Sequence, residues 1–87
     1  MSLLPKAELG VVRREGRVVV QDLDRLGEPP LVLTGSAEEI WELLDGRSIE
    51  EIVGALVAVH EVAPEVIRPD VVAFLDDLRA RDIVRLV

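Results

Sequence analysis

The hydrophobic pattern changes its period once, at Thr34-Gly35-Ser36. Upstream, apolar residues come in short strand-like runs. ELGVVR (8–13) and RVVVQD (17–22) flank the turn signal Arg14-Glu15-Gly16 and predict a hairpin. LDRLGEPP (23–30) reads as a loop, because Gly27 tolerates positive φ and the two prolines cannot donate to a ladder. Leu31-Val32-Leu33-Thr34 then predicts a third, very short strand, with Leu31 and Leu33 on one face and Val32 and Thr34 on the other.

Downstream the spacing becomes helical. Ala37, Ile40, Trp41 and Leu44 fall on one face of a first helix, with Glu38 and Glu39 in its positive first turn and Thr34 or Ser36 as its cap. Asp45-Gly46 stops it. Ser48-Ile49-Glu50-Glu51 is a capping box that opens a second helix. Ile49, Ile52, Val53, Leu56, Val57 and His60 form its stripe. Ala63-Pro64-Glu65 opens a third helix, with Ile67, Val71, Phe74, Leu75 and Leu78 on one face. Pro69 withholds a donor from the carbonyl of Glu65, which predicts a separate or kinked first turn. Asp82 marks the exit into an apolar tail, 83–87. The reading is a single α+β domain over 1–87, a winged helix-turn-helix with a three-stranded antiparallel sheet followed by three helices. Residues 1–7 and 84–87 are read as loose tails, with packing of the apolar tail 83–87 back on the sheet as the alternative.

Composition narrows the chemistry. A chain of 87 residues supports one small core. Without cysteine there is no disulfide, thiolate nucleophile or cysteine metal site, and a single histidine disfavours histidine metal clusters. No signal peptide and no membrane-spanning run is visible, which predicts a cytoplasmic protein. No Gly-rich phosphate loop, nucleophile–base pair or metal spacing occurs, so neither catalysis nor a cofactor is expected. Asp76-Asp77 and Glu50-Glu51 are neighbours on helices and diverge, so they read as solvated faces. His60 reads as covering the core edge at a helix C-terminus, and Trp41 as core.

The charge is uneven. Residues 1–29 carry five basic and five acidic side chains, and 30–87 carry five basic and twelve acidic ones, so the net charge of −7 lies in the second part. In a DNA-binding winged helix the third helix would enter the major groove. Here residues 64–80 place Arg68 and Arg79 against Glu65, Asp70, Asp76 and Asp77, with no Asn, Gln, Ser or Thr. That opposes nucleic-acid binding. The short third strand carries no charge to blunt its edge. Two readings stay open: the C-terminal tail or a loop covers it, or an extended peptide adds to it as another strand.

The ordered set Leu33-Thr34, Ala37, Ile40-Trp41, Leu44-Asp45-Gly46, Ile49-Glu50-Glu51-Ile52, Asp70-Val71, Phe74-Leu75 and Leu78 resembles the PqqD-like family, the leader-peptide recognition elements of ribosomal peptide natural-product pathways. The resemblance spans 31–84, with GVVRREGRVVVQDL as a looser match before it. Ile40 to Gly46 looks most like the stand-alone versions of lasso-peptide clusters. The chain departs from the family pattern at Thr34-Gly35-Ser36, where the family has Asn-Glu-Thr. It departs again at His60-Glu61, where the family has an aromatic-Gly pair, and at Asp82, often glycine.

The resemblance implies a protein that binds and does no chemistry; a monomer is expected. Such a protein binds the leader of a lasso precursor, antiparallel to the third strand and in the groove against the third helix. It delivers that leader to a transglutaminase-like leader peptidase, upstream of an ATP-dependent cyclase. Lasso leaders of this type often carry a Tyr-x-x-Pro-x-Leu element. The residues expected to bind are Leu31, Val32, Leu33 and Thr34 on the strand, and Val66, Ile67, Asp70, Val71, Phe74, Asp77 and Leu78 on the helix. Asp70 and Asp77, seven apart, are expected to meet leader Lys or Arg. The alternatives are a small non-enzymatic protein-docking subunit and a winged-helix module associated with transcription.

Overall fold

A computed structural model describes residues 2–87. The elements run β1 (Leu3–Pro5), β2 (Leu9–Arg14), β3 (Arg17–Asp22), β4 (Leu31–Thr34), α1 (Ser36–Glu42), α2 (Ile49–His60), α3 (Pro64–Ala80) and β5 (Val84–Leu86). The three strands read from the sequence are β2, β3 and β4, which form an antiparallel sheet in that order. Val18, Val20 and Leu33 face the helices and are buried. They meet Ile40, Trp41 and Leu44 from the first helical region, Ile52, Val53 and Leu56 of α2, and Val71, Leu75 and Leu78 of α3 in one core. Trp41, at 4% exposure, is a core residue as expected.

Local signals set most of the element ends. The capping box forms as read: the Glu51 amide donates to Ser48 Oγ at 3.2 Å, and the Ser48 amide donates to Glu51 Oε1 at 3.0 Å. These bonds favour the ionised Glu51 and hold its carboxyl below the usual range. The first helix differs from expectation. Its N-cap is Gly35, at φ 60° and ψ −129°, with no side-chain cap from Thr34 or Ser36. A positive φ at that point suits glycine and swings the chain abruptly out of β4 into α1. The third helix is one element from Pro64 to Ala80, with Pro69 inside it and no separate first turn.

The terminal segments are not loose. β1 pairs antiparallel with β5, Leu3 opposite Leu86 and Pro5 opposite Val84. Ser2 and Val87 exchange backbone hydrogen bonds of 3.2 and 2.8 Å, and the Lys6 amide donates to the Ile83 carbonyl at 2.9 Å. Leu3 and Val84 are 1% and 2% exposed, so both ends of the chain reach the core. The Lys6 side chain, also buried, lies 2.9 Å from Asp22, 3.3 Å from Asp24 and 3.7 Å from Asp82. It joins the end of β1, the end of β3 and the turn between α3 and β5. A buried ammonium is tolerated only with such partners. Hydrogen bonding to Asp22 keeps the Lys6 pKa above its usual value against the opposing effect of burial. The same bond holds the Asp22 carboxyl below its ordinary range.

Candidate functional site

β4 is four residues long because its borders stop it. Pro29 and Pro30 precede it, and Gly35 turns the chain away at its end. It pairs with β3 in the register Val18–Leu33, Val19–Val32 and Val20–Leu31. Among the described residues no strand pairs with its other side. The C-terminal tail is committed to β1. The tail therefore does not cover the edge.

The hydrogen-bond parity shows which groups that edge offers. The Leu23 amide donates to the Glu8 carbonyl at 3.1 Å, continuing the β2–β3 ladder whose register pairs Leu9 with Asp22. In an antiparallel sheet the donors of successive residues alternate sides. The odd-numbered residues of β3 thus bond to β2, and Val18 and Val20 bond to Leu33 and Leu31 of β4. Val32 and Thr34 are left with N–H and C=O directed at the open edge. Pro30, two residues earlier on the same side, offers a carbonyl only. The edge is thus blunted at its start and open at Val32 and Thr34.

A mainly apolar cavity of about 130 Å³ is lined from Ser36 onward, two residues beyond Thr34, and by no residue of β4 itself. Ser36, Ala37 and Ile40 of α1, Leu56 and His60 of α2, and Ile67, Asp70, Val71 and Phe74 of α3 line it. Its size suits one branched or aromatic side chain, since cavities of roughly 150 Å³ accept benzene. His60 Nε2 lies 2.7 Å from Glu39 Oε2, joining α2 to α1 at the cavity wall. Arg68 pairs with Glu50, and Asp77 pairs with Arg81 at 3.1 Å. Asp70 has no cation within ion-pair distance among the described residues.

The expected site residues separate into groups. Val32 and Thr34 are exposed at the edge, and Leu31 is half-buried. Ile67, Asp70 and Phe74 line the cavity as exposed or half-buried groups. Leu33, Val71 and Leu78 are 5%, 1% and 0% exposed, so their side chains belong to the core. Val71 still forms cavity floor, whereas Leu78 does not line it. Val66 is 66% exposed and lies outside the cavity. Asp77 is occupied by Arg81, which leaves Asp70 as the unpaired member of the expected acidic couple. Sequence reading missed Ser36, Ala37, Ile40, Leu56 and His60 as lining. Each sits on an apolar stripe or at a helix end, so periodicity marks it only as core or rim.

The described residues contain no group of three or more His, Cys, Asp or Glu placed to hold a metal ion. None of their helices is long and apolar enough to cross a membrane.

Residues 17–84 match the model of the family described as coenzyme PQQ synthesis protein D (PqqD). The chain belongs to the PqqD family. No curated protein matches it. Among solved structures it is similar to TbiB1 in complex with the TbiA(beta) leader peptide. That match has a TM-score of 0.84 and 24% identity, and covers 97% of this chain and 96% of that one. The likeness extends over nearly the whole fold, including segments outside the span of the PqqD match. The positions where this chain departs from the family's glycines acquire a backbone meaning here. Glu61 and Asp82 have φ of 54° and 58°, and they are the described non-glycine residues with positive φ. The helix ends are kept, with the left-handed backbone held by residues that adopt it less readily.

Proposed function

We propose that this protein binds the leader of a ribosomally made precursor peptide without catalysing a reaction. In this reading the leader adds antiparallel to β4 and projects one anchoring side chain into the cavity between α1, α2 and α3. The observation that carries the reading is the open β4 edge, with the donors and acceptors of Val32 and Thr34 directed outward and the cavity lining beginning two residues beyond Thr34. Strand addition uses such an edge for affinity and a neighbouring pocket for selection. Membership of the PqqD family supports it, as does the likeness to TbiB1, which is bound to a leader peptide.

The side chains have separate tasks. Val32 and Thr34 supply backbone pairing. Ile67 and Phe74 grip an apolar side chain, with Val71 beneath it. Val66 extends the exposed apolar surface of α3. Asp70, unpaired on the rim, attracts a leader Lys or Arg, mainly speeding and orienting the encounter. A leader segment of about ten residues buries on the order of 1,000 Å², the low end for a specific complex. After the cost of ordering the peptide, affinity in the micromolar range or somewhat tighter is expected. The bound leader is then delivered to a transglutaminase-like leader peptidase in the cytoplasm, with an ATP-dependent cyclase acting afterwards.

An amide NMR titration with a synthetic lasso leader carrying Tyr-x-x-Pro-x-Leu tests the reading. Saturable shifts concentrated at residues 31–37 and 66–74 are expected. Absence of any shift with the cognate precursor leader would overturn it.

A further inference from the structure

Ten basic residues face seventeen acidic ones in this chain. Seven of the ten basic side chains are engaged by a carboxylate, and Arg25 donates to the Arg81 carbonyl at 3.1 Å. Arg14 and Arg17 differ. Both are exposed, and neither has a carboxylate within ion-pair distance among the described residues. They also lie directly opposite each other across β2 and β3, where like charges repel. A protein of net charge −7 thus leaves two cations uncompensated at one place.

Their place in the sheet connects them to the open edge. Arg17 pairs with Thr34, so Arg14, Arg17 and Thr34 form one cross-strand row. Val12, Val19 and Val32 form the next row, with Val12 48% and Val32 56% exposed. Both rows lie on the sheet face away from the helices, since Val18, Val20 and Leu33 face the core. Each row ends at a β4 residue whose backbone donor and acceptor are directed outward.

We infer that this outer face selects the docked strand's chemistry: an acidic side chain opposite Thr34, and two residues later a β-branched or aromatic one opposite Val32. The inference rests on the strand addition proposed above. An antiparallel strand on β4 places those two side chains on the same outer face, in continuation of the two rows. The acidic group continues the row beyond Thr34, two strand spacings, or roughly 10 Å, from Arg17, whose long side chain can reach toward it, and the apolar group extends the valine row. The two sides of the groove then carry opposite charge, Arg14 and Arg17 outside and Asp70 inside. A slip of one residue would turn the acidic side chain from the arginines toward Asp70, so the charges also hold the register.

The test uses fluorescein-labelled synthetic peptides carrying the Tyr-x-x-Pro-x-Leu element, with Glu or Lys walked through every other position. Binding is read by anisotropy at low salt against the wild type, Arg17→Glu and Arg17→Gln. Amide spectra of the variants check that the fold is kept. The expected result is one position where Glu binds about three- to tenfold more tightly than Lys. Arg17→Glu inverts that preference, Arg17→Gln abolishes it, and added salt weakens it. Binding with no position-specific charge preference, or with a preference unaltered in both variants, overturns the inference and leaves the docking edge standing. Failure of every peptide to bind overturns both.

Discussion

The chain has two short strand systems that meet opposite ends. β1 and β5 are three residues each and β4 is four, and apolar residues predominate in each. The terminal pair joins the two ends of the chain to each other. It is bonded along its length, anchored by Leu3 and Val84, and tied by Lys6 to Asp22, Asp24 and Asp82. β4 is closed only toward β3. The difference is one of available partners. The C-terminal strand is used up at β1, so nothing remains to cover Val32 and Thr34. With the tail paired to β1, the outer side of β4 keeps no strand partner among the described residues.

The comparison breaks most clearly at its anchors. Leu3→Ala removes a side chain that is 1% exposed and is expected to cost roughly 2–4 kcal/mol of stability. Denaturant unfolding measures the loss, and peptide affinity of the folded fraction stays near wild type. If affinity fell in parallel, the two strand systems would be coupled.

Val32→Pro is the reverse case. Its lost donor faces the open edge rather than β3, and proline is tolerated on edge strands in that orientation. Leader affinity is expected to fall by about a hundredfold, on the order of 2–3 kcal/mol, with the melting temperature little changed. Titration calorimetry with a thermal melt checks both. Unchanged affinity would mean that backbone pairing at Val32 is not used.

Acid should act on the Lys6 cluster, and also on the capping box through Glu51. Lys6 lowers the pKa of Asp22, and Arg85, followed by the more distant Lys6, lowers that of Asp82. Carboxyls with lowered folded values stabilise above the ordinary range, near pH 4, and lose that contribution as pH falls through it toward the folded values. The raised Lys6 value keeps its contribution intact at neutral pH, to be lost only in strong alkali. Melting temperature should therefore drop on acidification below about pH 4. Lys6→Met should melt lower at neutral pH and lose much of that acid dependence. An acid profile unchanged in Lys6→Met would remove the cluster as its source.

The smallest effect is expected at the end of α2. Glu61 has φ 54° where glycine is unstrained. Glu61→Gly should stabilise by about 0.5–1 kcal/mol, read as an upward shift of the denaturant midpoint. Asp82→Gly relieves the same backbone geometry but forfeits the pairs with Lys6 and Arg85, so it should gain less or lose stability.

Local physics made much of this legible without a structure. The hairpin about Glu15-Gly16, the capping box of Ser48 and Glu51, the core position of Trp41 and the order of three strands and three helices all follow from interactions between residues close in sequence. The PqqD resemblance pointed to β4 and α3 by the same ordered residues. What stayed hidden depends on partners far apart in the chain. Leu3-Leu4-Pro5 is too short to announce a strand, and its partner Val84-Arg85-Leu86 lies near the opposite terminus. Lys6 looks like an ordinary surface lysine until the fold surrounds it with three carboxylates. Leu33, Val71 and Leu78 share faces with true rim residues, and only packing separates floor from core.

Periodicity, caps and glycine turns thus suffice to write the elements and their order, because each is decided within a few residues. The fate of an edge is a different kind of fact. Whether Val32 and Thr34 face a partner or solvent depends on where the tail pairs and on the parity of the β2–β3 ladder. Those are long-range pairings, and only the assembled tertiary structure selects among them.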